Sequence, residues 1–127
     1  MSKLRIGKHL SESSITEILD LLLNDDKEFL ISLFRDYISS TAERVISLRE
    51  DFAASDFESI SLTSHAHSGS SGIIGAHVMQ RLCHRIERKI KDDTNDELQE
   101  LIVSFAQIAS ETEKDLKIVI EYLENFH

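Results

Sequence analysis

The sequence predicts an all-α protein, an antiparallel four-helix bundle with a short additional N-terminal helix. Three observations predict this fold class. None of the 127 residues is a proline, apolar residues recur at helical spacings almost throughout, and no alternating stretch is long enough to indicate a strand. Long amphipathic segments joined by short connections are typical of such bundles. We expect a single domain over residues 1–127, in which residues 1–10 form a tail or linker.

The first two helices are separated by a short polar run. Ser14 and Glu17 have the spacing of a capping box for a short first helix, which is expected to end near Leu23 and to cover the bundle as a lid. Asn24–Asp26 interrupts its pattern and supplies a cap for the next helix. That bundle helix is predicted at about 27–52, with the core residues Leu30, Phe34, Tyr37, Thr41, Val45, Leu48 and Phe52.

The remaining bundle helices are predicted at about 56–74, 76–91 and 95–125. Ser55 with Glu58, and Thr94 with Glu97, are spaced as capping boxes for the first and last of them. A glycine-rich stretch separates the helices at 56–74 and 76–91. The short connections favour antiparallel packing of neighbouring helices.

Composition excludes several classes of partner. A net charge of −9, from 23 acidic and 14 basic residues, opposes binding to nucleic acid or to anionic membranes. The chain has no apolar run long enough to span a bilayer and no secretory signal core near its start, so we expect a cytoplasmic protein. The acidic surface and the closed bundle favour a monomer. Cys83 is the only cysteine, which excludes an internal disulfide and favours a small core residue.

The most informative segment is Ser64–Ala76, which contains three of the four glycines and two of the six histidines. Glycine costs about 1 kcal/mol relative to alanine inside a helix. Glycines in a predicted helix therefore require a reason, and close approach of another molecule is one such reason. A histidine beside these glycines is the candidate reactive group.

The core seam of the third helix distinguishes the two histidines. Spacings of three and four from Phe57 and Ile60 place His67 on the inward face. His65 is two residues away, roughly 200° around the helix, so it is expected to be exposed. Its helical neighbours are all small, and we expect them to leave room for a partner: Ser61, Ser68, Gly69 and Gly72.

An exposed imidazole surrounded by small residues is suited to accepting a phosphoryl group. A histidine with an ordinary pKa of about 6.5 is largely neutral near pH 7, so one ring nitrogen is nucleophilic. Phosphoryl transfer depends mostly on positioning and charge neutralisation, which a docking partner can supply. The sequence contains no nucleotide-binding motif, which favours a carrier rather than an enzyme with its own kinase domain.

The segment resembles the signature of histidine-containing phosphotransfer (HPt) domains. The matching residues are His65, Gly69, Ser70, Ile74, Gly75 and Ala76, followed in register by Met79, Cys83, Ile86 and Glu87. Asp56 lies where the family often has an acidic residue. The resemblance implies that His65 exchanges a phosphoryl group with receiver domains of response regulators or of a hybrid sensor kinase. It implies no cofactor or metal on this chain, since Mg²⁺ is expected on the receiver, and it makes Glu87 a supporting residue.

One departure from the family signature is important for the chemistry. Ser68 stands where the family has a lysine that is thought to hold the phosphoryl charge. Arg81, Arg85 and Arg88 line one flank of the fourth helix, and we expect Arg85 or Arg88 to replace that lysine. The alternative is an ordinary solvated basic face that attracts acidic partners. A second functional hypothesis is a docking or regulatory module of HPt fold that accepts no phosphate.

His67 has two further interpretations. It is either a buried histidine, hydrogen-bonded with Ser64 and Ser71, or a second phosphoacceptor, and its inward position favours the first. Metal binding by His65 and His67 is disfavoured because side chains two residues apart on a helix diverge. The other histidines, among them His77 and His84, have no spacing that suggests a role.

Overall fold

The computed structural model describes residues 7–22 and 26–125. These residues form five α-helices, with a short 3₁₀ turn at Asn95–Glu97 before the last of them. The helices are α1 (Glu12–Leu22), α2 (Lys27–Ala53), α3 (Phe57–Ile74), α4 (His77–Lys91) and α5 (Leu98–Glu124). The bounds of α2 to α5 lie close to the predicted ones.

The four long helices pack in a closed ring. α3 lies against α2 and α4, and α5 lies against the same two helices on the other side. Apolar side chains from all four fill the centre, the largest being Phe34, Leu48, Ile60, Met79, Ile86, Phe105 and Leu116. Cys83 is also buried, and burial raises the pKa of its thiol to about 12. The predicted four-helix bundle is confirmed.

The N-terminal segment packs on the bundle rather than leaving it. α1 lies against α3 and buries Ile15 and Leu19, which agrees with the predicted additional helix. Residues 7–10, predicted as part of a tail or linker, instead lie against α5, where the His9 N–H donates to the Asp115 carboxylate at 3.4 Å. Residues 1–6 lie outside the described part of the chain. No helix among the described residues combines the length and apolarity needed to cross a bilayer.

The first two helix starts agree only in part with the predicted caps. The predicted box at Ser14 and Glu17 is wrong, because α1 already begins at Glu12 and the Ser14 N–H donates to Ser11 Oγ at 3.3 Å. Asp26 does cap α2, since its carboxylate accepts the backbone N–H three residues later at 2.9 Å. Residues 23–25 lie outside the described part of the chain.

The predicted capping boxes of α3 and α5 do not form. Ser55 adopts a φ of 54° in the turn, and Asp56 caps α3 with a carboxylate oxygen 3.1 Å from the Ser59 nitrogen. The Thr94 hydroxyl donates to the Lys89 carbonyl at 3.3 Å instead of capping α5. Sequence spacing alone does not identify the cap, because the backbone path of each turn decides which side chain reaches the first free N–H groups.

A two-residue turn joins α3 to α4. Gly75 ends α3 with a left-handed backbone, φ 80° and ψ 16°, and the Ala76 N–H donates to the Ser71 carbonyl at 2.8 Å. This is the hydrogen bond of a Schellman C-cap. The Gly75 carbonyl also accepts the Ser11 N–H at 2.6 Å, which ties the start of α1 to the turn. The turn therefore makes α3 and α4 a tight antiparallel hairpin.

Replacing Gly75 with alanine should destabilise the fold. The left-handed backbone disfavours a Cβ by about 1–2 kcal/mol, and that Cβ would lie 2.9 Å from the Ser14 Cβ. We expect Gly75→Ala to lower the free energy of unfolding by at least this amount in urea denaturation. Gly69→Ala is the matched control, because a Cβ at residue 69 has no neighbour within 4 Å. It should raise stability by about 0.5–1 kcal/mol, and equal effects would contradict the assignment.

Candidate functional site

The facing sides of α3 and α4 meet in three pairs. Each pair joins one residue of α3 to one of α4: His65 to Glu87, Ser68 to His84, and Gly72 to Gln80. Steps of three and then four residues forward along α3 match the same steps backward along α4. These steps follow one face of each helix, as antiparallel packing requires. We refer to these contacts as the α3–α4 pairs.

His65 is an exposed member of the α3–α4 pairs, with 80% of its side chain accessible. Its Nδ1 lies 3.0 Å from Glu87 Oε2. An ionised carboxylate can only accept a hydrogen bond, so this contact places the ring proton on Nδ1. Nε2 then carries the lone pair, and it makes no hydrogen bond within the described residues. The geometry therefore presents one nucleophilic nitrogen to solvent.

The Glu87 carboxylate forms its side-chain contact with His65. Its side chain is only 24% exposed, and its second oxygen, Oε1, is buried without a hydrogen-bond partner among the described residues. No other side chain in that part of the chain competes for the carboxylate. Glu87, predicted from the family register as a supporting residue, thus contacts the candidate phosphoacceptor directly.

The second pair contains Ser68, which stands where the family signature has a lysine. Ser68 is buried, and its Oγ lies 2.6 Å from Nε2 of His84, an exposed residue of α4. The spacing of His84 in the sequence does not indicate this contact. The His84 imidazole of α4 therefore lies beside Ser68, which follows His65 by one turn of α3.

The small residues around His65 leave space on one side only. A Cβ at Gly69 would meet nothing within 4 Å, whereas one at Gly72 would lie 2.6 Å from Gln80 Nε2. Ser61 is half-buried, and the Ser68 hydroxyl is hydrogen-bonded to His84. The space predicted for a partner is therefore open at Gly69 and closed by the Gln80 side chain at Gly72.

His67 faces the core, as predicted, and both of its nitrogens are occupied. Nδ1 accepts a hydrogen bond from the Arg44 guanidinium at 2.9 Å, so Nε2 carries the proton and donates to Tyr37 Oη at 3.2 Å. The ring stacks on Tyr37 with centroids 5.0 Å apart. Burial first, and then the Arg44 charge, lower the pKa of His67 from 6.5 to about 3. His67 is thus a neutral core histidine with no free lone pair.

The prediction that Ser64, His67 and Ser71 satisfy one another is wrong. Ser71 Oγ pairs with Tyr37 Oη at 2.7 Å, and Ser64 Oγ is buried without a partner among the described residues. Burial raises the pKa of Tyr37 to about 12, so its hydroxyl stays protonated. The partners come from α2 because residues on one seam of a helix point at the facing helix rather than at each other.

Arg85 and Arg88 lie beside the α3–α4 pairs rather than within them. Both side chains are exposed, and neither forms a hydrogen bond or ion pair within residues 7–22 and 26–125. Each follows a paired α4 residue, His84 or Glu87, by one position, which is about 100° around the helix. The structure places them on the flank of the site and brings neither to His65.

Exposed apolar residues extend along α3 next to His65. Leu62 is 66% exposed and Ile73 is 70% exposed. With Ala66 and Gly69 they follow spacings of four and three, so they share one face of the helix. We call the stripe formed by Leu62, Ala66, Gly69 and Ile73 the apolar stripe. Apolar side chains exposed together on one helix face are typical of a surface that a partner covers.

Comparison with known proteins agrees with this geometry. The family model described as Hpt domain matches residues 32–125, which is most of the chain and includes His65, Ser68, His84 and Glu87. The chain belongs to the Hpt domain family. Members of this family are phosphoryl carriers rather than kinases, and the resemblance inferred from the sequence is confirmed.

Two curated relatives are similar to this Hpt chain. The phosphorelay intermediate protein rdeA of Dictyostelium discoideum is 33% identical over 101 residues, which cover 80% of this chain and 39% of that protein. The multistep phosphorelay regulator 1 of Schizosaccharomyces pombe is 26% identical over 78 residues, 61% of this chain and 26% of that protein. The chain thus spans well under half the length of either relative.

A solved structure shows the shared fold. The crystal structure of histidine-containing phosphotransfer protein B from Pseudomonas aeruginosa PAO1 superposes with a TM-score of 0.81, covering 95% of this chain and 99% of the other. Sequence identity is 16%. The five-helix arrangement is therefore maintained although most side chains differ.

Sequence reasoning missed three contacts of this Hpt domain, two of which are hydrogen bonds. They involve His84, Gln80 and the α2 residue Arg44. Counting backward along α4 in steps of three and four from Glu87 would have found His84 and Gln80 once the pairing of Glu87 with His65 was known. No comparable signal marks Arg44, because its contact depends on how α2 is rotated against α3.

Burial of neutral His67 should make stability depend on pH. The unfolded chain binds a proton near pH 6.5, whereas the folded chain binds it only near pH 3. The free energy of unfolding should therefore fall by about 1.4 kcal/mol per pH unit as the pH drops through this window. His67→Gln lacks this titration, so the stability difference between wild type and variant should narrow as the pH falls. Parallel curves in urea denaturation would contradict the role of His67.

Proposed function

We propose that this chain accepts a phosphoryl group on His65 from the aspartyl phosphate of one receiver domain and relays it to another. The observation that carries the proposal is the exposed imidazole whose Nδ1 is held by Glu87 and whose Nε2 is unbonded among the described residues. The names of both curated relatives include the word phosphorelay, which supports the same role. A phosphorelay between receivers is consistent with the predicted cytoplasmic location.

The transfer step follows from this geometry. The Nε2 lone pair attacks the phosphorus of the aspartyl phosphate, an N–P bond forms, and the P–O bond to the aspartate breaks to leave its carboxylate. The ring retains its Nδ1 proton and gains positive charge, which the Glu87 carboxylate offsets at 3.0 Å. The receiver supplies Mg²⁺ and the carboxylates that hold the metal beside the transferred group. Reversal of these steps donates the phosphoryl group to the next receiver.

The surroundings of His65 fit a receiver domain as the docking partner. The apolar stripe provides a surface that a partner can cover, and Gly69 allows close approach beside the reacting nitrogen. Arg81, Arg85 and Arg88 form an exposed basic flank. A receiver active site is rich in carboxylates, so this flank favours the correct encounter electrostatically.

Replacing His65 tests the proposal directly. Wild-type protein incubated with a receiver domain carrying a radiolabelled aspartyl phosphate should gain acid-labile, alkali-stable label, and His65→Gln should gain none. His67→Gln is the matched control and should still be labelled, provided circular dichroism shows that it is folded. Label retained in His65→Gln would overturn the assignment. Binding of the receiver without labelling of the wild type would instead support the docking module.

Glu87 should act as a positioning residue for His65. Glu87→Ala removes the acceptor that fixes the proton on Nδ1, so we expect the other tautomer to become populated and the rate of labelling to fall roughly 10-fold. ¹⁵N chemical shifts of the ring report the tautomer, which a purely structural role would not change. Glu87→Gln retains an acceptor oxygen and should lose less. Unchanged tautomer populations in Glu87→Ala would contradict this role.

A further inference from the structure

We infer that His84, acting through Ser68, holds the phosphoryl group on His65 in place of the missing lysine. This inference rests on the proposed function and deepens it. The hydrogen bond of 2.6 Å between Ser68 Oγ and His84 Nε2 carries it. Ser68 would touch the phosphoryl group, and His84 would position and polarise the Ser68 hydroxyl.

Ser68 is close enough to contribute to this site. It follows His65 by three residues, so the two side chains are neighbours on one face of α3, with Cβ atoms about 5–6 Å apart. The side chain of Ser68 is buried, and its hydroxyl is directed toward α4 by the contact with His84. His84 is exposed, so its ring can adjust when a phosphoryl group arrives.

A chain of two hydrogen bonds provides the donor. In the tautomer that carries its proton on Nε2, the His84 ring donates to Ser68 Oγ, and the Ser68 hydroxyl proton is then free to donate to a phosphoryl oxygen. Each bond strengthens the other because donation to Ser68 polarises its O–H group. No covalent bond changes in this arrangement. Any positive charge on the His84 ring would further stabilise the negative phosphoryl group.

The neighbouring cations are less well placed for this role. Arg85 and Arg88 project about 100° around α4 from His84 and Glu87, two of the α4 residues that face α3. Neither contacts Ser68 or His65 in the described part of the chain. We therefore assign the two arginines to the basic flank and His84 to the phosphoryl group.

Phosphoramidate tests the inference without a protein partner. This small phosphodonor transfers its phosphoryl group to histidine and releases ammonia. We expect Ser68→Ala and His84→Ala each to lower the initial rate of His65 phosphorylation roughly 10-fold, as for loss of one hydrogen bond to a charged group. The double variant should lose little more than either single one, because the two residues act as a unit. His77→Ala, which removes the same side chain from α4 two turns away, is the matched control.

A lysine at position 68 provides the rescue that separates the two possible roles of His84. Ser68→Lys combined with His84→Ala restores the family cation and vacates the space into which it extends, so the rate should recover toward that of the wild type. A merely structural role of His84 would not be rescued in this way. A wild-type rate in His84→Ala, or failure of the rescue in a folded double variant, would overturn the inference. No phosphorylation of the wild type by either phosphoramidate or a receiver would instead overturn the proposed function.

Discussion

The register of α3 against α4 is the constraint on which the site depends. Gly75 closes the hairpin in two residues with a left-handed backbone, so the facing residues of the two helices are fixed close to the turn. A rotation of α4 by one residue, about 100°, would replace His84 and Glu87 by the neighbouring arginines. The backbone geometry of Gly75 thus determines, through the α3–α4 pairs, which α4 side chains lie near His65.

Packing of α3 against α2 gives the two histidines different chemistry. His67 is enclosed by Tyr37 and Arg44, which occupy both ring nitrogens, and burial together with the Arg44 charge keeps the ring neutral. This buried network fixes the rotation of α3, and His65, two residues away, consequently faces solvent. One nitrogen of His65 is held by Glu87, and the other makes no hydrogen bond within residues 7–22 and 26–125. Their surroundings, and not a difference in intrinsic reactivity, therefore give the two nearly adjacent histidines different hydrogen bonding and exposure.

The glycines of the α3 segment serve different purposes. Gly75 is required by the backbone of the turn, and Gly72 lies beneath the Gln80 amide. Gly69 has open space above it, although alanine would suit a helix better at that position. The cost of Gly69 to the fold is explained if a partner approaches there. Backbone geometry and packing thus account for Gly75 and Gly72, whereas the proposed approach of a partner would account for Gly69.

Sequence alone determined the all-α bundle, the inward position of His67 and the exposure of His65, because helical periodicity specifies which face of each helix is apolar. It also identified Ser68 as a departure from the family pattern. Only the tertiary structure showed that His84 and Glu87 contact α3 beside His65, and that Arg44 binds His67. Periodicity defines faces within a helix, whereas the partner of each side chain depends on the rotation and register between helices, which the folded core decides.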